Sequence, residues 1–220
     1  MIKGVIFDFN GTLFFDSWIH KKIWLKILSE VIGQPPTPEM MDVVNGQVNF
    51  QMIKSFNKYR KIPLSDDEIN RYSEKKEAIY RNYVLEHNLN KLEAGALELF
   101  EYLKENNISM VLCSASIKEN IDFFFNSFGL KDYFIPEQSV YDDGSYHNKV
   151  AMYKKACENI GIDIKDALIF EDSKFGVKWA IEAGCKNIVL LKSSQSNLKF
   201  PEIIQEINNF TEFNYDILKK

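Results

Sequence analysis

The segment Asp8-Phe9-Asn10-Gly11-Thr12 puts a carboxylate, an amide, a glycine and a hydroxyl within five residues. A carboxylate such as Asp8 can attack phosphorus and carry the phosphoryl group as a mixed anhydride. Its charge repels an anionic phosphate, so it needs a cation. Mg²⁺ takes oxygen ligands and is commonly held by one or two carboxylates plus substrate phosphate. Later segments supply the remaining parts. Glu171-Asp172 offers further carboxylates. Lys149 offers a point charge for developing negative charge. Ser114-Ala115-Ser116 offers hydroxyls and backbone N–H groups for phosphoryl oxygens.

Each of these residues has an ordinary structural use when taken alone. An aspartate after a strand caps a turn, Ser114 can start a helix, and Lys149 can lie in solvent. Their placement argues for more. Val5-Ile6-Phe7 ends in Asp8, Ile108 to Cys113 ends in Ser114, and Ala167 to Phe170 ends in Glu171-Asp172. Short apolar runs of this kind read as buried parallel strands. Asn187 to Leu191 is a fourth run, and Tyr133-Phe134-Ile135 is a shorter candidate. Ligands of such sheets collect at the carboxyl ends of the strands, so these distant residues should converge there.

Helical patterns at 95–105, 117–128, 150–160 and 174–183 alternate with those runs, the last stopping at Gly184. Alternating strand and helix predicts an α/β fold with a doubly wound, Rossmann-like parallel sheet. Residues 16–92 break the alternation. Helical patterns at 18–32, 39–44, 50–59 and 66–86 predict an all-helical insert placed after the first strand. The expected domains are a catalytic core of 1–15 plus 93–220 and a helical cap of 16–92, with the site between them and entry governed by cap motion.

Bulk properties narrow the function classes. The 220 residues are 45% hydrophobic and 14% aromatic, which is enough for a substantial core. The net charge of −4 comes without a lysine or arginine run, so neither nucleic acid nor a membrane surface is an expected partner. Met1-Ile2-Lys3 reaches charge too soon for a signal peptide, and no apolar run spans a bilayer. Three scattered cysteines, Cys113, Cys157 and Cys185, form no metal or disulfide pattern and fit a reducing cytoplasm. No apolar stripe marks an oligomer interface, and a monomer or weak dimer is expected.

Taken together, these motifs resemble the haloacid dehalogenase superfamily. Its four motifs find counterparts in Asp8-Phe9-Asn10-Gly11-Thr12, in Ser114, in Lys149, and in Glu171-Asp172-Ser173 followed by Gly176. The helical insert resembles the cap of the β-phosphoglucomutase/phosphatase branch. The resemblance implies Asp8 as nucleophile, with Asn10, Ser114 and Lys149 in the catalytic set. It implies Mg²⁺ on Asp8, Glu171, Asp172 and the Asn10 carbonyl. Gly11, Thr12, Ala115, Ser116 and the cap residues His20, Gly46 and Lys76 would bind a small phosphorylated metabolite.

Asn10 departs from the pattern. The family's phosphatases and mutases carry an aspartate there as general acid/base. An amide cannot fill that role, which is worth roughly 10²- to 10⁴-fold in rate. Three accounts stand open: a selective or slow phosphatase, whose substrates could be acyl or aryl phosphates; a relative of dehalogenases or phosphonatases; or a phospho-ligand binder with weak turnover. Glu171-Asp172 argues against a metal-free dehalogenase. Phosphatase ranks above phosphomutase, because a mutase handles a proton twice per cycle.

Overall fold

The computed structural model describes residues 1–41, 49–192 and 198–219. It divides into two compact units, one formed by Met1–Phe15 and Asn90–Lys220, the other by Asp16–Leu89. In chain order the elements are β1 (Gly4–Phe7), α1 (Ser17–Ile32), α2 (Pro38–Met41), α3 (Asn49–Ser55), α4 (Asp66–Glu86), α5 (Ala96–Glu105), β2 (Ser109–Ser114), α6 (Lys118–Ser127), β3 (Val140–Tyr141), α7 (Lys149–Asn159), β4 (Ala167–Glu171), α8 (Lys174–Ala183), β5 (Asn187–Leu191) and β6 (Ile203–Ile207).

The first unit is a six-stranded sheet of order β3-β2-β1-β4-β5-β6 in which every pairing is parallel. All four residues of β1 are buried, as are all five of β4. Strands covered on both faces need apolar side chains in both directions, which explains the unbroken runs. Ile6 joins Val111, Ile169 and Ile188 in a cluster with Met152 and Ala156 of α7 and with Val177 and Ala180 of α8. Phe7 points the opposite way, as the two-residue strand period requires. Its ring stacks on Phe170 at 5.0 Å and meets Phe100 and Phe134 edge-on. Just beyond the strand, Phe9 stacks on Phe124 of α6 with ring centroids 3.7 Å apart.

Register decides what meets at the sheet edge. Phe7 lies opposite Leu112 on one side and Phe170 on the other. The next residue along each strand is Asp8, Cys113 and Glu171, so the polar strand ends come out side by side.

The segment 133–135 is not a strand. It lies between 3₁₀ turns at Leu130–Asp132 and Pro136–Gln138, and the short strand is Val140–Tyr141, paired with Cys113 and Ser114. The apolar character of 133–135 serves packing instead, with Phe134 buried against Phe7 and Phe100. Pro136 lacks an amide donor and restrains the residue before it, which also disfavours a ladder there. The sheet gains β6, an edge strand whose Gln205 and Glu206 interrupt the apolar pattern.

Among its described residues the second unit is built of helices joined by turns and loops, with no strand. Helix α1 buries Ile19, Ile23, Trp24, Ile27, Leu28 and Val31 and ends at Gly33, whose φ of 75° satisfies the left-handed helix stop. Helix α4 starts with a reciprocal capping box between Ser65 and Glu68. The pattern at 50–59 resolves into α3 followed by a 3₁₀ turn at Phe56–Tyr59. No helix among the described residues is long and apolar enough to cross a membrane.

Candidate active site

The sheet edge of the first unit gathers four charged side chains that water hardly reaches. Asp8, Lys149, Glu171 and Asp172 are each at most 8% exposed. Lys149 is the first residue of α7, reached through the Asn148 cap, whose side chain accepts from the Val150 N–H. From there Lys149 Nζ donates to Asp8 Oδ1 at 2.6 Å and to Glu171 Oε1 at 2.5 Å. Thr12 Oγ1 donates to Asp8 Oδ2 at 3.2 Å.

Glu171 is the most heavily bonded member. Its Oε1 also accepts from the Tyr153 hydroxyl at 2.8 Å. Its Oε2 accepts from the Asp172 and Ser173 amides and from the Ser173 hydroxyl. These donors occupy roughly the four lone-pair sites of a carboxylate. Ser173 also caps α8, its hydroxyl accepting from the Gly176 N–H.

Two glycines make room for the acids. A Cβ at Gly11 would lie 2.2 Å from Asp172 Oδ2, and a Cβ at Gly176 would lie 2.0 Å from Glu171 Oε1. Gly11 also has a φ of 81°, a conformation that side chains rarely adopt.

The protonation balance follows from burial and from the single ammonium. Burial pushes Asp8 up to about 7; Lys149 and the Thr12 hydrogen bond oppose that rise, while Glu171 adds to it. Burial acts on Glu171 in the same direction. There Lys149, the Ser173 amide and the Tyr153 hydroxyl outweigh it and hold the acid below its ordinary value. Burial alone would weaken the charge on Lys149, but Asp8 and Glu171 reverse this and raise it. One ammonium thus serves a buried group of carboxylates, and Glu171 has the larger share of the donors.

A divalent cation fits this donor set. Asp8, Glu171 and Asp172 present carboxylate oxygens within 4.8 Å of one another. Hard oxygens suit Mg²⁺, and the Lys149 ammonium is shared between two of these three acids. The Gly11 and Gly176 clearances are what let Asp172 and Glu171 approach.

Beside this cluster, Asn10 Oδ1 accepts from Ser116 Oγ at 2.7 Å, with Ser114 Oγ at 3.5 Å. Ser114 Oγ in turn accepts from the Ser116 amide at 3.2 Å. Ala115 lies exposed in the turn between the two serines. The structure therefore brings together Asp8, Asn10, Gly11, Thr12, Ser114, Ser116, Lys149, Glu171 and Asp172 around one strand edge.

With this geometry in place, comparison with known proteins is decisive. The profile of the haloacid dehalogenase-like hydrolases matches residues 5–190. The chain belongs to this family. The HAD-like chain is 28% identical to a HAD hydrolase of family IA, variant 3, from Entamoeba histolytica. That structure superposes with a TM-score of 0.89 over 100% of both chains. The β-phosphoglucomutase of Clostridium difficile shares the fold, with 21% identity and a TM-score of 0.79 over 100% of this chain and 96% of that one. A curated relative from Arabidopsis thaliana is the chloroplastic 5-amino-6-(5-phospho-D-ribitylamino)uracil phosphatase. It is 27% identical over 132 residues, 60% of this chain, and the match spans only 34% of its own length.

The helical unit of this HAD-like enzyme holds a second polar cluster. His20 Nε2 lies 3.1 Å from Asp16 Oδ2, which also accepts from the Tyr80 hydroxyl at 2.6 Å. Lys76 Nζ lies 2.9 Å from His20 Nδ1 and donates to Glu77 Oε1 at 2.8 Å. Asn49 Nδ2 donates to the same Glu77 oxygen at 2.6 Å. Because an ammonium only donates, the Lys76 contact makes His20 Nδ1 the acceptor and leaves Nε2 to donate to Asp16. Lys76 is 3% exposed, so it is not the solvated helix-face lysine that its charged neighbours suggest. Gly46 lies outside the described residues.

Sequence reasoning passed over Tyr153, Asp16, Tyr80 and Glu77. Spacing held the signal for three of them. Tyr153 stands four residues after Lys149, His20 four after Asp16, and Tyr80 four after Lys76, each pair on one helical face or at its start. Glu77 has no such signature.

Proposed function

We propose that this protein is a Mg²⁺-dependent phosphatase acting on a small phosphorylated metabolite, with Asp8 as nucleophile. The observation that carries the reading is the buried cluster of Asp8, Glu171 and Asp172, with the Lys149 ammonium bonded to Asp8 and Glu171. Such a concentration of acids is costly without cations, and phosphate brings a need for the same cations. The phosphatase name of the Arabidopsis relative supports the substrate class.

Asp8 and Asp172 would hold Mg²⁺ directly, joined by the Asn10 carbonyl. Glu171 would act through a bound water, because its oxygens are already engaged. The ion supplies charge neutralisation for the attacking carboxylate and the phosphate. Lys149 orients Asp8 Oδ1 and neutralises charge on the transferring group. Ser114, Ser116 and the backbone of 114–116 would bind phosphoryl oxygens, with Thr12 fixing the other oxygen of Asp8. The product of the first step is an aspartyl-phosphate, which water resolves.

A phosphomutase of the β-phosphoglucomutase kind ranks second, since Asn10 transfers no proton and a mutase needs two such transfers per turnover. The test is p-nitrophenyl phosphate hydrolysis. Turnover should require Mg²⁺, stop with EDTA and disappear in Asp8→Asn. Wild-type activity in that variant would refute the mechanism.

A further inference from the structure

A phosphoryl group leaves an alcohol oxygen only if that oxygen gains a proton, because an alkoxide is too basic to depart unaided. At this site the residue two positions after the nucleophile is Asn10, held by the Ser116 hydroxyl at 2.7 Å. Whichever way its amide is turned, it exchanges hydrogen bonds and transfers no proton. Lys149, the nearby ammonium, is committed to Asp8 and Glu171 through two hydrogen bonds. The Ser114 and Ser116 hydroxyls are far too weakly acidic to replace a carboxylic acid. Among these described residues of the sheet edge, the groups for attack are present and none of Asn10, Ser114, Ser116 and Lys149 is an acid suited to a departing alkoxide.

We propose that the leaving group departs as an unprotonated anion, so that the site selects acyl phosphates and other phosphoric anhydrides over phosphate monoesters of alcohols. This rests on the reading of Asp8 as nucleophile. In the first step an Asp8 oxygen bonds to phosphorus. The bond from phosphorus to the acyl oxygen breaks, and its electron pair leaves as a carboxylate, with no proton moved. In the second step a water oxygen bonds to phosphorus and the bond to Asp8 breaks, returning the pair to the Asp8 carboxylate. Both water protons leave with the product as dihydrogen phosphate. The amide of Asn10 suits this chemistry, since it can hydrogen-bond a departing carboxylate without adding another negative charge beside the acids.

The experiment compares acetyl phosphate, p-nitrophenyl phosphate, phenyl phosphate and glucose 6-phosphate, whose leaving groups rise in basicity. Rates of phosphate release are read alongside trapped phosphoenzyme, detected by intact mass after acid quench. Wild type should favour acetyl phosphate over glucose 6-phosphate by about 10²-fold or more in kcat/KM, with phosphoenzyme trapped from the former alone. Asn10→Asp should shift the ratio of kcat/KM for glucose 6-phosphate to that for acetyl phosphate by about 10²-fold toward glucose 6-phosphate, whatever it does to the absolute rates.

Equal wild-type use of all four substrates, still abolished by Asp8→Asn, would overturn the leaving-group inference and spare the nucleophile. Phosphate release indifferent to Asp8→Asn would overturn both. Asp142 is the control for a relocated acid, because its backbone amide donates to the Ser116 carbonyl at 3.1 Å. If Asp142→Asn lowers glucose 6-phosphate turnover and spares acetyl phosphate, the acid has moved and the proposal falls.

Discussion

Replacing Lys149 with methionine keeps much of the side-chain volume and removes the ammonium bonded to Asp8 and Glu171. Two ion pairs disappear, the 2.6 Å contact to Asp8 and the 2.5 Å contact to Glu171. Both carboxylates stay where they are, at 6% and 0% side-chain exposure. Removing one partner of a buried pair costs about 3–5 kcal/mol, because the other partner is left desolvated and uncompensated. For a chain of this size that corresponds to a fall in Tm of about 6–20 °C. The assay is thermal melting of wild type and Lys149→Met in EDTA and in excess Mg²⁺. A ligand present at about 100 times its Kd stabilises by about 2.7 kcal/mol. Magnesium should therefore raise both melting temperatures, and raise that of Lys149→Met more, since an added cation replaces the missing charge. Adding Asp8→Asn to Lys149→Met should restore part of the loss in EDTA by removing one stranded carboxylate. If Lys149→Met melts like wild type in EDTA, the acids do not depend on Lys149. If Mg²⁺ moves neither melting curve, the cluster is no cation site.

Three other outcomes follow from the same geometry. In EDTA, stability should fall as pH rises from ordinary carboxylate values toward about 7, because Asp8 holds its proton more tightly in the folded state than in the unfolded one; Glu171, held below its ordinary value, loses its contribution only as pH drops further, and pH-dependent melts with and without Mg²⁺ measure both trends. Gly176→Ala, at a helix position where alanine normally gains about 0.5–1 kcal/mol, should instead destabilise and weaken the Mg²⁺-induced shift, because its Cβ would lie 2.0 Å from Glu171 Oε1; a gain in Tm with an intact magnesium response would show that the clearance is not needed. Tyr80→Phe should cost the helical unit about 1.5–3 kcal/mol by removing a buried hydroxyl bonded to Asp16 at 2.6 Å, and urea unfolding with an unchanged midpoint would contradict that bond.

The candidate site at the sheet edge was legible in the sequence for a physical reason. β1, β2 and β4 are covered on both faces, so their residues form continuous apolar runs, and the first polar residue after each run marks the sheet edge. Asp8, Ser114 and Glu171 were found that way. β6 escaped notice because it lies at the edge of the sheet, where Gln205 and Glu206 break the pattern. The segment 133–135 misled because Phe134 is apolar for packing against Phe7 and Phe100, and sequence does not separate that need from strand pairing. The helical unit was legible only in part: His20 and Lys76 were read through the family resemblance, and their bonded partners Asp16, Tyr80 and Glu77 were passed over. Glu74-Lys75-Lys76-Glu77 reads as a solvated run, yet Lys76 and Glu77 are buried and bonded to each other. Which charges of a helix turn inward depends on the elements packed against it, here α1 and α3, and the run itself carries no record of them.

The amide at position 10 is best understood from the charge already present around it. Asp8, Glu171 and Asp172 share one buried edge, and burial, with a smaller contribution from Glu171, raises the proton affinity of Asp8 against the opposition of Lys149. An aspartate in place of Asn10 would bring proton transfer together with another acid in the same enclosure. Like charges at close range in a desolvated site raise one another's proton affinity. That coupling would also act on Asp8, whose ionised form is the proposed nucleophile. The amide avoids the conflict: it leaves Asp8 easier to ionise and gives up the power to protonate an alkoxide. That exchange favours catalysis only where the departing oxygen needs no proton. The same few atoms therefore link the electrostatics of the nucleophile to the choice of substrate.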